Sequence, residues 1–113
     1  MRVLPINPPS HYHELIDGAE GVEFVSAGPA EMVHLFCANR GELEASVGLA
    51  LGQVVEGGML WISWPKKSSK LFVDLTEDDL RTLVLPTGWV DVKVCAVDAD
   101  WSALKFLKRK AAN

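Results

Sequence analysis

Cysteine is scarce in this chain of 113 residues: there are two, Cys37 and Cys95, and neither belongs to a CxxC or to a spaced framework. That excludes a disulfide-stapled secreted scaffold, and the expectation is two buried, reduced thiols inside apolar strand-like runs. Long apolar stretches are missing too. No run approaches the roughly 20 residues that span a bilayer, so no membrane partner is expected. The N-terminus lacks the basic segment and long apolar stretch of a signal peptide, which makes the cytoplasm the expected compartment. Cations are outnumbered: 11 Lys and Arg stand against 15 Asp and Glu, a net charge of −4. A general nucleic-acid binder would be basic overall, so nucleic acid is not an expected partner.

What is present is an ordinary globular composition, 49% hydrophobic and 23% charged. The length suits one domain over residues 1–113, burying about 65% of the surface its unfolded chain would expose. Charge is unevenly spread. Residues 1–60 hold eight acids against Arg2 and Arg40, a balance of −6, and the remainder holds seven acids against nine Lys and Arg, a balance of +2. The cations gather as Lys66, Lys67 and Lys70, then as Lys105, Lys108, Arg109 and Lys110. Such groups attract anionic ligands, and equally form solvated surface; the C-terminal group is read as surface.

Local signals order the elements. Arg2–Ile6 reads as a strand that is short or at an edge, because Pro5 cannot donate to a ladder. Ser10 caps a brief helix over His11–Asp17, stopped at Gly18. Val22–Ser26 is a second short strand, and Met32–Ala38 is a continuous apolar run typical of a strand covered on both faces. Asn39 is an N-cap with Glu42 three residues on, and Leu43, Val47, Ala50, Leu51 and Val54 fall on one helical face, with Gly57 expected as the left-handed C-cap. A strand over Met59–Trp64 follows. Thr76 caps another helix with Glu77, Asp78 and Asp79 in its first turn, Leu75 and Leu80 placed as a hydrophobic staple, and Pro86 ending it near Leu85. Val90–Val97 and Trp101–Lys108 are two strands joined by a tight turn.

Strands alternating with helices imply a three-layer, Rossmann-like α/β domain: a mostly parallel sheet of about six strands, helices on both faces, and a C-terminal antiparallel hairpin.

The segments WISWPKKSSK, DLTEDDLR and LPTGWVDVKVCAVDADWSALKFLKRK resemble the bacterial domain-of-unknown-function 3052 family, whose members carry a W-P-K-K loop, a D-L-T-E-D helix start and a W-S-x-L-K strand. The likeness covers most of residues 57–110 and implies no assigned reaction. It fades toward the N-terminus, where related chains often have a leading segment not seen before Met1. The order of a strand, a helix, V-V-E-G-G, the strand M-L-W-I-S-W, a helix and a closing hairpin is distantly similar to the later half of S-adenosylmethionine-dependent methyltransferases. Their cofactor site implies a Gly-rich turn after the first strand and an acid at the end of the second. Here Asn7-Pro8-Pro9-Ser10 stands at the first place and Ser26-Ala27 at the second, with Glu23 inside the strand. That departure implies a degenerate relative with no bound cofactor.

The candidate site is the loop Trp64-Pro65-Lys66-Lys67-Ser68-Ser69-Lys70, which follows the carboxyl end of a strand. Lys66, Lys67 and Lys70 with the Ser68 hydroxyl suit an anionic small molecule, Trp64 offers an aromatic wall, and Asn7 and Asn39 are expected at neighbouring strand ends. The ordinary alternative is a solvated loop with Trp64 in the core. Asn7-Pro8-Pro9 followed by Tyr12 resembles the N-P-P-Y loop of amino-group methyltransferases, but two residues intervene and a turn before a helix explains it. His11-x-His13 has no third ligand nearby. His34 is expected to be a hydrogen-bonded core residue, and Asp91 and Lys93 to share a strand face and pair.

The expected function is therefore a non-catalytic ligand- or partner-binding regulatory module. Two rival readings stand beside it: an S-adenosylmethionine- or nucleotide-binding enzyme of methyltransferase-like fold, and a structural subunit of a homo-oligomer.

Overall fold

The computed structural model describes residues 2–8, 23–97 and 99–108. Its strands are β1 (Arg2–Ile6), β2 (Glu23–Phe24), β3 (Ala30–Phe36), β4 (Val54–Pro65), β5 (Trp89–Ala96) and β6 (Trp101–Lys108). Helix α1 (Arg40–Gly52) joins β3 to β4, and α2 (Glu77–Val84), continued by a 3-10 turn over Leu85–Thr87, joins β4 to β5. The strands form one sheet in the order β2-β1-β3-β4-β6-β5. The first four are parallel, and β6 runs antiparallel to both β4 and β5. This is the six-stranded α/β sheet expected from the sequence, antiparallel hairpin included; helices on both of its faces are not seen among the described residues.

Pro5 shows how sequence sets the sheet's edge. β2 pairs with β1 only at Arg2 and Val3, and Val25 N–H donates to the Val3 carbonyl at 2.9 Å. Backbone groups alternate sides along a strand, so Pro5 turns its missing donor toward the side where β2 has already ended.

Period-two alternation divides the sheet. Val33 and Leu35 pair in register with Leu60 and Ile62, which pair with Phe106 and Leu104. All six are fully buried and pack in one cluster with Leu43 and Ala50 of α1 and Leu80 and Val84 of α2. Burial of each large aliphatic or aromatic side chain there contributes about 1.5–3 kcal/mol. Both described helices therefore cover the same face. The opposite set includes His34, Phe36, Ser63 and Trp101; Phe36 meets Trp101 edge-on at 5.2 Å. The helix expected over His11–Asp17, the His11-x-His13 pair and Tyr12 lie outside the described residues.

Three expectations are corrected. Helix α1 stops at Gly52 with Gln53 as its C-cap, not at Gly57. Gly48 and Gly52 weaken its second half, and the β-branched pair Val54-Val55 favours extended backbone, so it opens β4 instead. Gly57 does adopt a left-handed φ of 80°, but within an irregular strand start where Glu31 alone stands opposite residues 55–58. Cys37 is buried as expected, whereas Cys95 on edge strand β5 is half-buried. Asp91 pairs with Arg81 of α2, Nε to Oδ2 at 2.9 Å, and not with Lys93. The register of β5 against β6 shifts between those two residues, which breaks the two-residue period and puts them on different sides.

Candidate functional site

Parallel strands deliver their carboxyl ends to one rim. Asn7 after β1, Asn39 after β3 and the basic loop after β4 therefore share a rim with the turn between β5 and β6. The strand order reverses between β1 and β3: the chain goes from β1 outward to β2 and from β3 the other way to β4. Open α/β sheets bind ligands outside such a switch point.

The basic loop is tied to the hairpin. Lys66 N–H donates to the Asp100 carbonyl at 2.8 Å, and the Ser69 hydroxyl donates to Asp100 Oδ1 at 2.8 Å while accepting from Leu71 N–H at 3.0 Å. Between loop and helix lies a cleft of about 360 Å³ lined by Trp64, Lys66 and Lys67 on one side, Thr76, Glu77 and Asp78 on another, and Ser102 of β6. Trp64 is mostly core, only 7% exposed, so its indole forms the floor. Ser68 and Lys70 do not line this cleft.

The acidic wall is organised by a capping box. The Thr76 side chain accepts from Asp79 N–H, and Asp79 Oδ2 accepts from Thr76 N–H at 3.0 Å. That backbone donor holds the Asp79 carboxyl below its ordinary range. Arg81 lies 2.5 Å from Glu77, 3.8 Å from Asp78 and 2.9 Å from Asp91. The hydrogen bond to Asp91, followed by that to Glu77, raises the Arg81 pKa, and the bond from Arg81 lowers that of Asp91.

A second cleft, about 450 Å³, runs along β1 beneath the connection to β3. Its apolar walls are Leu4, Pro5, Ile6 and Leu49, and Asn7, Ser26 and Gln53 supply polar groups. Asn7 turns the chain at the end of β1 in the left-handed region, φ 55°, a conformation Asn tolerates better than most residues with a Cβ. Asn39 lines neither cleft. Its Oδ1 accepts from Glu42 N–H at 2.9 Å, and Glu42 Oε2 accepts from Ala38 N–H at 2.6 Å, so it caps α1.

The structure thus brings Trp64, Lys66 and Lys67 together, sets Asn7 in a separate cleft of its own, and gives Asn39 a capping role. Thr76, Glu77, Asp78 and Ser102 were not anticipated as lining residues. The register pair Trp64↔Ser102 and the return of the β4–α2 connection to the same rim place them there, and both are long-range facts.

Two reactive side chains, His34 and Cys37, are buried. His34 Nε2 sits 2.7 Å from Ser63 Oγ, with the ring stacked 4.3 Å from Phe36, and burial depresses its pKa to about 3. The expectation of a hydrogen-bonded core histidine holds. Burial, with the Glu42 charge second, pushes the Cys37 thiol up to about 12. Among the described residues no three His, Cys, Asp or Glu side chains gather to hold a metal, and no helix is long and apolar enough to cross a membrane.

No protein-family model matches the chain, and no curated relative does. Solved structures do. The Methanococcus jannaschii fibrillarin pre-rRNA processing protein superposes with a TM-score of 0.61 at 9% identity, over 97% of this chain and 67% of its own. Magnesium protoporphyrin IX methyltransferase from Synechocystis, with bound SAM, gives 0.58 at 13% identity over 85% and 50%. The DhpI–SAH complex gives 0.60 at 13% identity over 97% and 78%. The chain therefore spans between half and about four-fifths of these proteins. Identities this low establish the fold, which is methyltransferase-like. The expectation of a non-catalytic, non-enzymatic module, which treated the likeness as a remnant of the later half, is corrected on this likeness: the superpositions run over 85–97% of the chain, and two of these three structures hold SAM or SAH. The expected homology to an uncharacterised family gains no support from a family model.

Proposed function

We propose that the chain is an S-adenosylmethionine-binding enzyme of the methyltransferase type, or the fold-bearing part of one. The observation that carries this reading is the strand order, in which a switch point between β1 and β3 is combined with an antiparallel β6 inserted between β4 and β5. Superposition on proteins whose structures hold SAM or SAH supports it.

The residues at the switch-point side fit an adenosyl group in shape and polarity. A cleft of about 450 Å³ falls inside the range of small-molecule sites, about 300–1,000 Å³. Ile6 and Leu49 would flank the base, and the Asn7 carboxamide and Ser26 hydroxyl would meet the ribose. This differs from the arrangement the fold resemblance implies: Glu23 pairs level with Arg2, at the amino end of β1, and does not reach the carboxyl rim. The ribose contacts in this chain would be neutral. When bound, the donor would supply an electrophilic methyl group; the protein's part is to hold it along β1 and shield it from water. Trp64, Lys66 and Lys67 belong to the other cleft, at the carboxyl rim, available to the methyl acceptor. The W-P-K-K and D-L-T-E-D segments support placing the chain with the uncharacterised bacterial family named above, which would give that family the same activity.

Calorimetric titration with S-adenosylmethionine, S-adenosylhomocysteine, ATP and phosphate tests the reading. The two adenosyl ligands are expected to bind and, at about 100 times Kd, to add about 2.7 kcal/mol of stability. Binding of ATP or phosphate with no response to either adenosyl ligand would overturn it.

A further inference from the structure

We infer that the cleft between the basic loop and the first turn of α2 binds a zwitterionic small molecule, one bearing an ammonium group and a carboxylate or phosphate. The inference rests on the proposed reading and deepens it by naming a class of methyl acceptor. Its walls carry opposite charge: Lys66 and Lys67 at the end of β4, Glu77 and Asp78 at the start of α2, with the hydroxyls of Thr76 and Ser102 between. A simple anion drawn to the lysines would meet two carboxylates across a space of about 360 Å³. A simple cation would meet the lysines. Only a dipolar ligand satisfies both walls at once.

The two carboxylates are not equivalent. Glu77 is engaged by Arg81 at 2.5 Å, whereas Asp78 is 3.8 Å from that guanidinium with its side chain 94% exposed. Asp78 is therefore the group left to receive an ammonium. On the other wall Lys67 is exposed, and the loop that presents it is held by the Lys66 and Ser69 bonds to Asp100, so its position is set before a ligand arrives.

The test is a titration followed by amide ¹H–¹⁵N spectra, without any adenosyl ligand, so that it can fail separately from the proposed function. The probes are γ-aminobutyrate, phosphoethanolamine, inorganic phosphate and ethylamine. The two zwitterions are expected to shift the amides of Lys66, Lys67, Thr76–Asp78 and Ser102 saturably, at concentrations about tenfold below phosphate or ethylamine. Lys67→Ala and Asp78→Asn, both at exposed side chains, are each expected to weaken that response about threefold while the remaining spectrum is unchanged. Phosphate acting as strongly as phosphoethanolamine, with Asp78→Asn without effect, would make this an anion site and overturn the inference. Absence of shifts with every probe would overturn it as well.

Discussion

The Ser69 hydroxyl donates to Asp100 Oδ1 at 2.8 Å, joining the loop after β4 to the turn between β5 and β6 across 31 residues of sequence. With the Lys66 N–H to Asp100 carbonyl bond, it fixes the basic wall of the rim to the hairpin. Because the pair is exposed, its worth is modest. Ser69→Ala and Asp100→Ala should each cost about 0.5–1.5 kcal/mol in urea unfolding, and the double variant little more than the larger single. Full additivity would show that the two side chains do not act through one another.

Thr76 anchors the acidic wall. Thr76→Ala removes the side-chain acceptor for Asp79 N–H and one partner of the Asp79 carboxylate, and should lower stability by about 1 kcal/mol. Thr76→Ser should restore most of it. Equal loss in both variants would point to packing of the methyl group instead of capping.

His34 makes stability depend on pH. Its folded pKa is about 3 against an ordinary value of 6.5, because burial disfavours the charged ring. Below pH 6.5 the unfolded chain takes up a proton that the folded one refuses. Its contribution is therefore complete above that pH and is lost progressively as pH falls toward 3, at up to about 1.4 kcal/mol per pH unit. His34→Gln keeps a partner for Ser63 and lacks the titration. The stability gap between wild type and this variant should stay constant above pH 7 and narrow on acidification. A gap unchanged down to pH 4 would contradict the assignment.

Two glycines should answer a methyl group in opposite ways. A Cβ on Gly58 would lie 2.6 Å from the Glu31 carbonyl and 2.8 Å from Val54 Cγ1, at the irregular start of β4. Gly58→Ala is expected to cost about 1–3 kcal/mol. Gly48, inside α1 with nothing within 4 Å of a Cβ, should gain up to about 1 kcal/mol as Ala. Thermal unfolding of the two variants decides it, and a stabilised Gly58→Ala would mean the strand start is not as tight as described.

The elements readable from sequence are those specified by neighbours. The apolar run before Asn39 became β3, the Thr76–Asp79 spacing became a capping box, and Leu75 and Leu80 both ended up buried. What could not be read depends on distant pairing. Val54 continues the apolar stripe of α1 by spacing, yet joins β4 because β3 is there to pair with it. Asp91 and Lys93 obey the two-residue rule until a register shift against β6 separates them. The site divides in the same way. The lysines after Trp64 were visible as a loop, whereas the opposing acids and Ser102 reach the cleft through the register of β4 with β6 and the docking of α2. Asn39 was expected at a ligand and proves to serve the helix it begins.

The account rests on an adenosyl ligand seated at the end of β1, and spectra of the ¹⁵N-labelled protein titrated with S-adenosylhomocysteine test that most directly. Saturable shifts at Asn7 and Ser26–Gly28, with the amides of β5 unmoved, are the predicted result. Spectra that stay superimposable at millimolar ligand, or shifts confined to the β5–β6 hairpin, would contradict it.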